Sequence, residues 1–249
     1  GMAKIFHEIL EASVKRRTEL ITMQEKIDRD EDNEDAEDDE EALEDQEEEE
    51  TFLLGEVCDA IGTSLRKCEG FLGYFTSEFI PAVEHLIDPE MHSMDIRLGL
   101  SMLCEFCEHA PRGAVEHLDT ITQAFLHYAG VPDVMVVQPA FFGLYLCSNI
   151  LLEHVPQPDD NTMSFAKEVY NRCFTFLGAN QAREKECHDT TCNAASCAVH
   201  IIENYAEADL FNCESLFNKV VTHLPGKADE IEAQRLHGRL VYWIVNDHP

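Results

Sequence analysis

Basic residues are scarce in this chain: 18 Lys and Arg stand against 49 Asp and Glu, a formal net charge of −31. A nucleic-acid backbone needs a stripe of Lys and Arg, and none is present, which argues against nucleic acid as a partner. Long apolar runs are missing as well. No window approaches eighteen uninterrupted apolar residues, so no membrane-spanning helix is expected. There is no Gly-rich phosphate loop, nucleophile elbow or isolated carboxylate pair, so neither catalysis nor a cofactor is expected. Strand-like alternation is absent too, which leaves an all-helical chain. No secretory signal accompanies the ten cysteines. That combination points to a reducing compartment and free thiols.

What is present is helical periodicity, clearest from Met94 to Gly130. Ile96, Leu100, Leu103 and Cys107 fall at steps of four, three and four, on one helical face. Val115, Leu118, Thr122, Phe125 and Leu126 make a second such face. Pro111 and Gly113 separate the two, because proline cannot continue a helix and glycine costs little in a turn. Similar helix ends recur along the chain at Glu108-His109, Glu153-His154, Glu203-Asn204 and Asn246. A helix-pair period of about 40–47 residues is the signature of HEAT and armadillo repeats. The fold expected is therefore an all-α superhelix of HEAT repeats, a solenoid in which each pair packs on its neighbours.

Three stretches organise the chain. Residues 1–27 read as a helix surviving from a preceding repeat, with Ile5, Ile9, Ala12, Leu20, Met23 and Ile27 inward and Lys15-Arg16-Arg17 on a solvated face. Residues 28–50 hold seventeen acids against Arg29, a net −16 (seventeen minus one). A block of like charges repels itself, so this run is expected to be a disordered linker or loop. Residues 51–249 hold about four to five repeats. Pro81 is expected to kink its helix or mark its start, Pro139 to kink another, and Val131-Pro132-Asp133 to open a helix. The last helix, near Ile231–Asn246, carries Leu236, Leu240, Trp243 and Ile244 with no partner evident in the sequence. With Gly1-Met2 at the other end, this reads as a fragment of something longer.

Cys104-x-x-Cys107 with His109, and Cys187-His188 with Cys192 and Cys197, are the two clusters that resemble metal sites. Zinc wants four ligands at matched spacing. These cysteines instead follow apolar helix faces, where a buried thiol behaves as a small hydrophobe. No metal is expected.

Several stretches carry a family resemblance. Asp95-Ile-Arg-Leu-Gly-Leu-Ser-Met-Leu-Cys-Glu-Phe-Cys-Glu-His-Ala-Pro111 resembles a C-terminal HEAT repeat of the karyopherin-β (importin-β) nuclear import receptors. Phe79-Ile-Pro-Ala-Val-Glu-His-Leu-Ile87, the segment from Pro132-Asp133 to Phe142-Gly143-Leu144, and Cys192-Asn193-Ala-Ala-Ser196 resemble further family stretches in the same order. Together they cover about residues 37–249. The resemblance implies a shuttling receptor of cytoplasm and nucleus that carries basic cargo proteins, contacts Phe-Gly nucleoporins and is emptied by Ran-GTP. Cys192 departs from the family, which has Glu beside the Asn. The chain is also far shorter than a full receptor and lacks the N-terminal repeats that hold most of the Ran contact.

In that arrangement the inner helices would present Glu78, Glu84, Asp88, Glu116, Asp119 and Glu168, with Asn193 as a seventh cargo-binding candidate. Asn193 has a plainer reading as a structural partner of a neighbouring helix's backbone. The acidic run would act as an electrostatic collector for basic chains. A monomer is expected. The alternative function is a HEAT scaffold or assembly subunit that holds protein partners without transport.

Overall fold

The computed structural model describes residues 2–27, 36–154, 159–205, 212–226 and 230–246, and every regular element among them is helical. The helices are α1 (Met2–Ile27), α2 (Ala36–Lys67), α3 (Phe71–Tyr74), α4 (Ile80–Leu86), α5 (Ser93–His109), α6 (Pro111–Ala114) and α7 (Leu118–Tyr128). They continue with α8 (Val134–His154), α9 (Asp160–Gly178), α10 (His188–Tyr205), α11 (Cys213–Val221) and α12 (Glu230–Val245). Helices α2, α5, α8, α10 and α12 pack successively on one another and form a central row. The flanking row is α1 against α2, α4 against α5, α7 against α8, and α9 and α11 against α10. One continuous apolar core runs from Phe6 to Trp243 between the rows.

Local chemistry explains the helix boundaries. Asp133 accepts the Met135 amide at 2.9 Å and opens α8, as the Pro-Asp signal predicts. Asp159 caps α9 through the Thr162 amide at 2.8 Å, and Asn212 caps α11 through the Ser215 amide at 2.8 Å. Pro81 stands in the first turn of α4, directly after a π-helical turn, Phe75–Phe79, that joins α3 to α4. Its missing amide is absorbed by that looser winding, so one proline both marks a start and relaxes the helix before it.

Helix α8 corrects the expectation about membrane length. It is long and apolar enough to span a bilayer by length and composition. Polar residues and Pro139 interrupt its apolar run, so a search for uninterrupted apolar residues passes over it. Its apolar surface is mostly buried, against α5, α10 and α7. The centre of the row explains its composition.

Two further expectations change at the N-terminal end. Part of the acidic run is ordered: residues 36–50 form the first half of α2, whereas residues 28–35 lie outside the described residues. Glutamate is a good helix former, and acids near a helix N-terminus complement its dipole. Buried Leu43 and Glu50 then anchor this half of α2. The inward face of α1 is also rotated from the one expected. Ile5 and Met23 are exposed, and the buried stripe is Phe6, Leu10, Ser13, Arg17 and Leu20. Those five fall at steps of four, three, four and three, a coiled-coil seam with two polar members. At the far end, Leu236, Leu240 and Trp243 do find a partner, because α12 packs on α10. Ile244 alone of the four named apolar residues stays exposed.

A candidate acidic interaction surface

All six predicted acids lie on the flanking row. Glu78 sits on the π turn, Glu84 on α4, Asp88 just after α4, Glu116 on the short 3₁₀ turn before α7, Asp119 on α7 and Glu168 on α9. Glu78, Glu84, Asp88, Glu116 and Asp119 are exposed. None of these five forms an ion pair with a described residue. Glu168 differs, being half-buried and paired with Arg172 at 3.1 Å one turn along α9. Asp119 and Glu168 come together in a groove of about 730 Å³ between α7 and α9, with Gln123, His127 and Arg172 also on its walls and Leu126 and Phe165 as its apolar part. Asp88 is held by its own turn, its carboxylate accepting the Glu90 amide at 2.9 Å. The row can therefore offer an unneutralised negative edge, with one groove where charge and apolar surface meet.

Asn193 does not join them. It lies on α10 in the central row, half-buried, and donates its amide to the Gln138 carbonyl of α8 at 3.4 Å. Cys104 of α5 donates to the adjacent Pro139 carbonyl at 3.4 Å. Both side chains thus donate to backbone carbonyls of α8 beside Pro139. This is the structural-partner arrangement, and it removes Asn193 from the acidic surface.

Sequence reasoning missed a buried ion network. The expected solvated cluster Lys15-Arg16-Arg17 is exposed at Lys15, which pairs with Glu19 at 3.9 Å, and at Arg16, but not at Arg17. Arg17 is 1% exposed and donates to Asp95 of α5 and to Ser13. Its guanidinium also lies 3.8 Å from Glu50 of α2. Arg16 grips Glu50 with two bonds, at 2.7 and 3.2 Å, and Ser13 donates to the same carboxylate. Burial pushes the Glu50 carboxyl up, but the bonds from Arg16 and Ser13 and the two guanidinium charges hold it below its usual range. The 4-3-4-3 spacing was the available signal, hidden because two of the five stripe residues are polar.

Two other titratable clusters lie off the acidic row. Between α2 and α5, Glu105 pairs with His109 at 3.2 Å. Gly62 makes room for them, since a Cβ there would stand 1.7 Å from Glu105 Oε2. Burial, then the charges of Glu108 and Asp59, push the Glu105 carboxyl up to about 7 against the pull of Arg66. Between α10 and α12, Arg239 donates to His200 Nδ1 at 3.2 Å and meets Glu203 at 2.6 Å, while the Trp243 indole donates to Glu203 at 2.9 Å. Burial, reinforced by the Arg239 charge, lowers His200 to about 4. The imidazole is therefore neutral and accepts at Nδ1, and the Tyr145 ring meets it edge to face at 5.0 Å.

Most of the cysteines are buried. Cys58 is pushed up to about 12, first by burial, and burial raises Cys104, Cys147 and Cys173 well above the usual thiol value. Thiols in that state are unreactive packing groups. No cluster of three or more metal-ligating side chains occurs among the described residues. No protein-family model matches this chain, and no curated protein matches it.

Proposed function

We propose that the chain binds basic polypeptide segments along its acidic flanking row, as a non-catalytic part of a HEAT-repeat import receptor of the karyopherin-β type. The observation that carries this reading is the set of five exposed, unpaired carboxylates at Glu78, Glu84, Asp88, Glu116 and Asp119 on one row of helices. The two-row stacking of helices supports a superhelix of HEAT repeats. The order of the family-like stretches supports the transport setting, in which Ran-GTP and Phe-Gly nucleoporins act on the whole receptor. Individually, exposed ion pairs are worth ~0–1 kcal/mol, so recognition must be multivalent and sensitive to salt.

The test is fluorescence anisotropy of a labelled Lys/Arg-rich peptide titrated with the chain at several ionic strengths. Binding that weakens steadily with salt, and weakens again when the five acids are changed to Gln and Asn, supports the reading. Absence of binding at low salt, or affinity indifferent to salt, would remove it.

A further inference from the structure

The Glu50–Asp95 pair is arranged like a receptor for a guanidinium. Both carboxylates are about 5% exposed, they come from different helices, and they converge on the single side chain of Arg17. That arginine belongs to a helix with few other attachments. α1 packs mainly on α2, with Phe6 meeting Phe71 edge to face at 6.1 Å and Arg17 reaching Asp95 of α5. Its outer side carries the i,i+4 pairs Lys4–Glu8, His7–Glu11 and Lys15–Glu19, all exposed. A lone helix of this kind is marginal in water, so α1 owes its order to the surface beneath it. The part of α2 that follows Glu50 keeps its place without α1, because it packs on α5 and through it on the rest of the central row. Lifting α1 away would leave two carboxylates from neighbouring helices without their guanidinium partners, a pair of acceptors well placed to take another guanidinium.

We propose that the surface around this pair is a binding site for an Arg-bearing amphipathic helix, occupied in cis by α1 and open in trans to a partner helix of the same pattern. The ligand pattern is read from α1: apolar residues at three- and four-residue spacing with one arginine on the stripe, flanked by a second arginine that meets Glu50 from the rim. Tethering keeps α1 at an effective concentration on the order of millimolar, so a free helix competes poorly until the cis helix is weakened. The site uses residues distinct from the acidic row, and it stands whether or not that row binds basic chains.

The experiment titrates the full chain into a labelled peptide of residues 2–27, with the wild-type protein, Leu10→Ala and Leu20→Ala. Both substitutions weaken the seating of α1 and leave Glu50 and Asp95 in place. The expected result is at least tenfold tighter peptide binding to each variant than to wild type. Asp95→Asn in the Leu10→Ala background should cancel that gain, and a peptide carrying Arg17→Met should not bind. A scrambled peptide of the same composition keeps its charge and loses the stripe, so it reports attraction to the acidic row alone. Equal binding of the scrambled peptide, equal affinity across the three proteins, or indifference to Asp95→Asn would each overturn the proposal. If both Leu variants lose the cooperative melt of the whole chain, α1 is an integral part of the fold and the proposal fails on that ground.

Discussion

Arg17 illustrates how much one side chain can decide. In the sequence it is the third residue of a basic triplet, and composition places such triplets in solvent. The fold instead takes it out of water and sets it between Asp95 and Glu50. Removing one member of a buried ion pair leaves an uncompensated charge and costs ~3–5 kcal/mol, whereas replacing all members by apolar groups costs far less. Arg17→Met should therefore destabilise the chain by about that amount in urea unfolding, and Arg17→Met with Asp95→Leu and Glu50→Leu should recover most of it. A second residue-scale prediction concerns pH. His200 drops from an ordinary 6.5 to about 4, so the unfolded chain takes up its proton before the folded chain does. Its contribution is complete above about 6.5 and is lost as pH falls toward 4. Glu105, raised from 4.5 to about 7, has the opposite sign: the folded chain holds the extra proton, and stability is lost as pH rises from 4.5 to about 7. Urea midpoints across pH 4–7.5 should show His200→Gln flattening the acid-side loss and Glu105→Gln flattening the neutral-side loss. If neither variant changes the profile, these groups do not carry those shifts.

At the scale of elements, the apolar faces of α5 and α7 were legible because their inward residues are almost all apolar. Of the positions named for α5 and for the segment now divided between the 3₁₀ turn and α7, only Val115 is exposed, at 40%. The face of α1 was misread by one register step, since Ser13 and Arg17 stand where the periodicity looks for apolar groups. The acidic half of α2 was misread for a related reason. Local charge repulsion argues for disorder, but one leucine and one buried glutamate per few turns suffice when a partner helix supplies Arg16 and Arg17. None of the five unpaired acids could be set apart from ordinary solvated charge by sequence, because exposure and pairing are tertiary properties. The α7–α8 contact offers a sharp test of packing. A Cβ on Gly143 would lie 2.2–2.4 Å from the Phe125 ring atoms, and Phe125 is itself fully buried. Gly143→Ala should cost ~1–3 kcal/mol through overpacking, despite alanine's better helix propensity. A stabilised variant in thermal melts would show that the ring has room to move.

Over the whole molecule, two rows of helices share one core, and the proposed superhelix would carry them along one axis. Solution scattering should return a radius of gyration clearly above the ~18 Å of a compact 249-residue globule. The shape matters for the proposed function, since an extended row can hold several weak charges in register with an extended basic chain. Deleting residues 28–50 would be a poor probe of that function, because it removes buried Leu43 and Glu50 along with the charge. Neutralising the row itself is cleaner: Glu78→Gln, Glu84→Gln, Asp88→Asn, Glu116→Gln and Asp119→Asn change exposed groups only. Electrostatic recognition of this kind appears chiefly in the association rate. Stopped-flow capture of a basic peptide at low salt should slow several-fold in the five-site variant, with the melting temperature nearly unchanged. An association rate equal to that of the unaltered chain would contradict the claim that this row is where basic segments bind.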